Sequence, residues 1–282
     1  MFSFMYALQD PLAFIIRPIY NLIGNYGITL IVVTILIRVC TIPLTYISQK
    51  NMSKTQLIQP EMMKLQNKYK NDKDTLTREM NKLYQKHGMS PLSGCSGCLP
   101  LFIQMFILFG FIGVIYNPLE SILQLDSEKL DVLAKIAGVK GNMQDVSFCA
   151  NVKVIEKIKE WGYTPIEFNL FGIDLAQKPE GKNIMLWIFP ALAFLSTVVS
   201  SWITKKQTEK TSAGNEQAQS MSNMMVLMMP VMTLMFIGMM PVAMSLYWFV
   251  STTLQIFQQT VINKFITNKV KAELDSKGNI KK

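Results

Sequence analysis

Residues 26–47 read YGITLIVVTILIRVCTIPLTYI, an apolar stretch whose only charge is Arg38. A helix of about 20 apolar residues crosses a hydrocarbon core of roughly 30 Å. The stretch therefore reads as a membrane-crossing helix, and the arginine near its middle is what needs explaining. Placing Arg at the centre of such a helix costs about 2.5–3.5 kcal/mol. Arg38 precedes Ser48 by about nine residues, or about 14 Å along a helix. Snorkelling to the headgroups is therefore the weaker reading.

Three other apolar stretches extend the pattern. They are 98–117 (CLPLFIQMFILFGFIGVIYN), 184–203 (IMLWIFPALAFLSTVVSSWI) and an unbroken run of 42 residues from Met221 to Ile262. That run is too long for one span, and Gly238 and Pro241 near its middle mark a break. It divides into 222–239 and 240–262. The chain of 282 residues is 50% hydrophobic and 17% charged, against about 25% charged in ordinary soluble domains. This composition excludes an ordinary cytosolic enzyme, and it is too apolar for disorder. The fold class expected is an all-α membrane protein with five transmembrane helices, TM1 to TM5.

Lysine and arginine counts orient the spans. Segment 48–92 holds 9 basic and 4 acidic residues, 204–222 holds 3 and 2, and 263–282 holds 6 and 2. Segment 118–183 holds 8 and 10. The three basic segments alternate correctly to share the cytoplasmic face. A multi-pass membrane protein follows, with its N-terminus outside and its C-terminus inside. Between the spans lie a cytoplasmic helical hairpin and loop (48–97), an extracellular insertion (118–183), a cytoplasmic loop (204–221) and a basic tail (263–282).

Residues 1–25 lack a basic n-region, since the first basic residue is Arg17, and Asp10-Pro11 interrupts the apolar run. Pro11 suits a helix start and Arg17-Pro18 a close. The expectation is an external amphipathic helix in the membrane interface; an uncleaved signal anchor is the alternative. In 118–183 the pattern predicts an amphipathic helix over Val152–Trp161 and short strands within YTPIEFNLFGIDL (163–175). Cys95 and Cys98 form a CxxC, but His87 is the only histidine and no βαβ pattern accompanies them. A small-residue loop is expected there, with no metal, redox centre or cofactor.

In the hairpin, Ile58, Met62, Leu65 and Tyr69 recur at helical spacing, as do Leu76, Met80 and Leu83. Asn71–Asp74 supplies a turn, and Pro60 is expected to kink or restart the first arm. An antiparallel helical pair results. It serves either as a solvated stalk or as a basic surface for lipid headgroups or ribosomal RNA.

The five spans contain no Asp or Glu, so any partner they offer Arg38 is neutral. Thr34 lies one turn before it on the same face. Gln104 is in TM2, and Ser196, Thr197, Ser200 and Ser201 are in TM3. TM5 brings Ser245, Ser251, Thr252, Thr253, Gln255, Gln258 and Gln259. Routine helix–helix hydrogen bonding accounts for most of the hydroxyls. The glutamines with a central arginine point to a hydrated cavity that attracts acidic segments. The chain has 20 Met, concentrated in 221–244, which read either as lipid-facing filler or as an adaptable greasy surface.

TILIRVCTIPLT, QPEMMKLQNKYKNDKDTLTREMNKLYQKHGMSPLSGC, CLPLFIQMFILFGF and PVAMSLYWFVSTTLQIFQQTVI resemble the YidC/Oxa/Alb family of membrane protein insertases. The short five-span bacterial type is the nearest. The resemblance implies a hydrophilic groove open to cytoplasm and lipid and closed outside, with Arg38 in it. The groove residues are then Arg38, Thr34, Gln104, Ser200, Gln255, Gln258 and Gln259. A client's apolar segment would pass along TM3 and TM5, by Phe194, Tyr247, Trp248 and Phe249. Thr34 and Trp248 match positions sensitive to change in the family. The implied partners are nascent membrane proteins, the ribosome, the Sec translocon, the signal recognition particle receptor and membrane lipids.

The chain departs from that pattern in three places. GCSGCLP carries three extra residues, Phe106 stands where the family often has Pro, and 118–183 is long. The function expected is insertion and folding of nascent membrane proteins, alone or with the Sec translocon, without covalent chemistry. No Walker A loop is present, and one histidine leaves no nucleophile–base pair. The alternatives are a small anionic-solute transporter with Arg38 as its site, and an assembly scaffold. Transporters often show internal repeats, and none is evident.

Overall fold

The computed structural model describes residues 2–87, 99–138, 149, 151–181, 183–209, 224, 228, 230–236 and 238–276. In it the apolar stretch from Tyr26 is the first half of one long helix, α2 (Tyr26–Lys68). Asn25 caps it, with Oδ1 accepting from the Ile28 N–H at 3.1 Å. Its threonines bond back one turn: Thr29 to Asn25 O at 2.7 Å, Thr34 to Leu30 O at 2.6 Å and Thr45 to Thr41 O at 2.9 Å. Each hydroxyl is thus satisfied without leaving the helix. The restart expected at Pro60 does not occur, because α2 runs through both Pro43 and Pro60. A proline removes one ladder bond and crowds one carbonyl, but intact turns on both sides still propagate the helix.

The same correction applies to the N-terminus. Helix α1 (Phe2–Ile23) contains Pro11 and Pro18 internally, so neither opens nor closes it. It ends at Gly24, whose φ of +73° permits the left-handed cap and whose N–H donates to Tyr20 O at 2.7 Å.

The remaining elements are α3 (Lys73–Lys86), α4 (Leu99–Tyr116), α5 (Pro118–Leu123), α6 (Ser127–Ala137) and α7 (Val152–Glu160). Strands β1 (Asn169–Leu170) and β2 (Ile173–Asp174) pair antiparallel, Asn169 opposite Asp174 and Leu170 opposite Ile173. They lie within the stretch read for short strands. A 3₁₀ turn (Ile184–Trp187) leads into α8 (Ile188–Glu209). Residues 230–236 are helical, the chain turns at 238–240, and α9 (Val242–Ser276) follows.

Two compact units result: Met1–Val39 with Met105–Ser201 and Leu227–Leu254, and Cys40–Gln104 with Trp202–Val226 and Gln255–Lys282. In the first, Ile16 of α1, Tyr26 and Leu30 of α2, Phe111 and Ile115 of α4, and Met244 and Leu246 of α9 share one core with Leu133, Ile158 and Leu175. Segment 118–183 is therefore built into this core. Tyr26, with no exposed surface, packs its ring 4.9 Å from Phe168, and its N–H donates to Glu167 O at 3.0 Å. Gln9 Nε2 of α1 donates to Ser121 Oγ at 2.8 Å, and Arg17 Nε donates to the Ser121 carbonyl. Tyr20 OH accepts from the Glu167 N–H at 3.1 Å, and burial pushes its phenol pKa up.

In the second unit, Ile58, Met62 and Leu65 of α2 meet Met80, Leu83 and Tyr84 of α3. All but Tyr84 belong to the stripes read from the sequence, whose outer members Tyr69 and Leu76 are not in the cluster, and together they close the hairpin. Tyr46 packs on Ile262 and Ile266 of α9 in a separate cluster.

Candidate functional site

Arg38 sits in α2 one turn beyond Thr34. Its Nη2 donates to Ser251 Oγ of α9 at 2.6 Å. Ser251 is buried, and Arg38 is partly so. A hydroxyl satisfies a guanidinium donor without neutralising the charge, which a carboxylate would do. Thr34, also buried, spends its hydroxyl proton on Leu30 O at 2.6 Å. Ser200 of α8 is half-buried, while its neighbours Ser196 and Thr197 bond back to Ala193 O at 2.8 and 2.9 Å. Ser245 Oγ, buried in α9, makes no hydrogen bond among the described residues.

The aromatic residues of this unit divide into two groups. Tyr247 is only 3% exposed, stacked on Phe111 with ring centroids 4.2 Å apart and planes at 28°. It is a core residue that fixes α9 against α4. Phe194, Trp248 and Phe249 are half-buried.

In the second unit, Gln104 and Gln259 are half-buried and Gln255 is exposed. Gln258, 9% exposed, has an Nε2 that finds no acceptor among the described residues, and the same unit holds a Gln49 Oε1 that finds no donor. Ser251 is one of the neutral partners that the sequence offered Arg38, and the bond bears this out; Gln49 was not among the expected groove residues. Gln49 had no signal, because it lies past the apolar stretch in a polar sequence.

Among the described residues, no three His, Cys, Asp or Glu side chains are grouped as metal ligands would be. His87 Nε2 is 3.5 Å from Glu61 Oε2, and Cys95 and Cys98 lie outside the described residues. Among the described residues, two helices, Tyr26–Thr55 and Ile184–Lys206, are long and apolar enough to cross a membrane. The exposed apolar side chains of α8, among them Leu195, Val198 and Val199, suit a lipid environment.

The sequence profile of the 60Kd inner membrane protein family matches residues 18–269. The chain belongs to this family. Relatives named membrane protein insertase YidC include those of Geobacter sulfurreducens, 28% identical over 260 residues, and Rickettsia conorii, 26% identical over 264. The alignments cover 92% of this chain and 38% of the first relative, and 94% and 40% for the second. A Rickettsia prowazekii relative of the same name is 28% identical over 264 residues, with 94% and 40% covered. The chain thus spans about two fifths of the length of these relatives.

Proposed function

We propose that this chain is a membrane protein insertase of a bacterial plasma membrane. Its five spans are 26–47, 98–117, 184–203, 222–239 and 240–262, with the N-terminus outside and the C-terminus in the cytoplasm. The observation that carries the reading is the Arg38–Ser251 bond at 2.6 Å, a cation in an apolar helix held by a neutral acceptor. Family membership and the insertase name of the relatives support it.

A client's polar tail must cross the bilayer, where backbone groups have no water to bond. Arg38 draws an acidic tail. Ser251, bonded to Arg38, and Thr34, one turn before it on α2, keep the locality polar, and Ser200 adds a hydroxyl on α8 of the same unit. Gln104, Gln255, Gln258 and Gln259 are the polar side chains that the second unit contributes in this reading. The client's apolar segment moves along Phe194, Trp248 and Phe249 into lipid, with Tyr247 supporting that face from behind. Nascent membrane proteins are the clients. The basic hairpin receives the ribosome, and insertion proceeds alone or with the Sec translocon and the signal recognition particle receptor.

Photo-crosslinkers test the route. Those at Phe194, Trp248 and Phe249 should capture the apolar segment of a stalled client, and those at Arg38 and Gln104 its polar tail. The reverse pattern, or capture only on 118–183, would overturn the route.

A further inference from the structure

The β1–β2 turn carries a side chain that the turn itself does not favour. Phe171 and Gly172 take φ of 53° and 81°, the left-handed pair of a two-residue hairpin that normally selects Asn-Gly or Asp-Gly. A bulky residue at positive φ is an outlier. Asn169 Oδ1 accepts from the Gly172 N–H at 2.9 Å, which secures the turn without any help from the Phe171 ring. That ring packs on little: Phe171 is 83% exposed. A strained position occupied by a large exposed apolar side chain points to a binding role outside the fold.

The surroundings indicate what it binds. A Cβ placed on Gly172 would lie 3.6 Å from Met185 Cε, so the turn stands beside the 3₁₀ turn that opens α8. There Ile184 is 81% exposed, and Met185 and Trp187 are exposed as well. This apolar patch continues without a charged residue into Ile188 and the exposed apolar side chains Leu195, Val198 and Val199 of α8. It is therefore continuous with a surface that faces lipid once α8 crosses the membrane. Aromatic and apolar side chains at the end of a span favour the boundary between headgroups and acyl chains.

We propose that the β1–β2 turn is a lipid anchor, with Phe171 beside Ile184 and Trp187 seated in the headgroup–acyl boundary of the outer leaflet. The anchor ties the folded 118–183 segment to the bilayer at the outer end of α8. It depends on α8 crossing the membrane and not on insertase activity.

The test is labelling of the unaltered protein in phosphatidylethanolamine–phosphatidylglycerol vesicles containing a phospholipid with a diazirine near the glycerol. Adducts are mapped by mass spectrometry. Adducts on Phe171 and Ile184 are expected at a yield comparable to that on Leu195, within about threefold, and at least tenfold above that on the exposed Lys153 and Lys159 of α7. Adducts on Leu195 with background only at Phe171 would overturn the anchor while leaving α8 as a span. Background at both positions would overturn the membrane placement and the anchor with it. A second measurement uses Phe171→Trp, which keeps an aromatic ring at the site. The emission it adds should be quenched by lipids brominated high on the acyl chain and shielded several-fold from acrylamide. Acrylamide access without lipid quenching would refute the anchor, and would point to a protein partner for this patch.

Discussion

Replacing Arg38 by methionine removes the charge while keeping length and apolar bulk, and it separates stability from function. Two stability effects oppose each other. The bond to Ser251 Oγ, at 2.6 Å, is made by a charged donor and contributes about 1.5–3 kcal/mol. Carrying Arg in the middle of a span costs about 2.5–3.5 kcal/mol. The net change should lie within about 2 kcal/mol of zero, which shifts Tm by less than about 8 °C at the 2–4 °C per kcal/mol of a chain this size. Function should respond far more. A carboxylate about 4 Å from the guanidinium gains up to about 4 kcal/mol at an effective dielectric near 20, so its loss amounts to one to three factors of ten in occupancy. The assay pairs thermal unfolding in nanodiscs with insertion of a short single-span client into liposomes. The client carries either an acidic or a neutral external tail.

Arg38→Met should reduce acidic-tail insertion at least tenfold and neutral-tail insertion much less, with little change in Tm. Arg38→Lys keeps the charge and gives up only the planar fork, so most activity should survive. Ser251→Ala should lower Tm modestly and spare the acidic client. A fall in Tm of more than about 10 °C in Arg38→Met, or equal loss for both clients, would show that Arg38 is structural and refute the reasoning.

Gly27 faces Leu170 Cδ2 and Leu175 Cδ1, each 2.7 Å from where a Cβ would stand. Gly27→Val should therefore cost about 1–3 kcal/mol by overpacking, read as a lower Tm, and combining it with Leu170→Ala should cost less than the two changes summed. Leu83→Ala, in the hairpin core, should cost about 2–5 kcal/mol locally; hydrogen exchange should speed across α3 and leave α8 unchanged. Deleting 51–87 should impair client insertion while α4 and α8 stay folded, and unchanged insertion would reduce the hairpin to a linker. The Asp72 carboxylate accepts from Thr75 N–H at 3.0 Å and Thr75 Oγ1 at 2.6 Å, which lowers its pKa. A depressed carboxylate pKa stabilises the α3 start above the ordinary carboxylate range, and that effect fades as pH falls through the folded pKa. The protection factor of the Thr75 amide, its exchange relative to the intrinsic rate at each pH, should fall at acid pH, and Asp72→Asn should flatten that dependence.

The sequence was most legible where one physical requirement acts alone. A single charge in 26–47 marked Arg38, and helical spacing marked Ile58, Met62, Leu65, Met80 and Leu83 as the inner stripe of the hairpin. Legibility fell where a residue's partner lies far along the chain. Tyr247 adjoins Trp248 and reads as the same kind of residue, yet it stacks on Phe111 while Trp248 stays half-open. Adjacent helical positions point about 100° apart, so only the neighbouring helix decides which ring is core. Prolines misled for a related reason. Pro11 and Pro18 read as helix ends and Pro60 as a kink or restart, but Pro18 lies between Ile16 and Tyr20, and Pro60 between Ile58 and Leu65, all packed in hydrophobic clusters. Burial of those flanking turns outweighs one missing bond.

The 118–183 segment shows how a stretch that reads as an addition becomes structural. Every helix start leaves backbone N–H groups unsatisfied, and Pro241, just before α9, has no side-chain acceptor to offer them. The Val242 and Ala243 N–H groups donate instead to Gln177 O and Leu175 O, each at 2.9 Å. At the start of α2, the Tyr26 N–H donates to Glu167 O at 3.0 Å, and Asn25 Nδ2 donates to Asn169 O at 2.9 Å. The carbonyls that follow β2, and those around β1, thus close the first turns of the two helices that carry Arg38 and Ser251. A hydrogen bond of 2.6 Å tolerates little drift between its helices. The 118–183 segment, by holding both helix starts, sets the register in which the cation meets its hydroxyl.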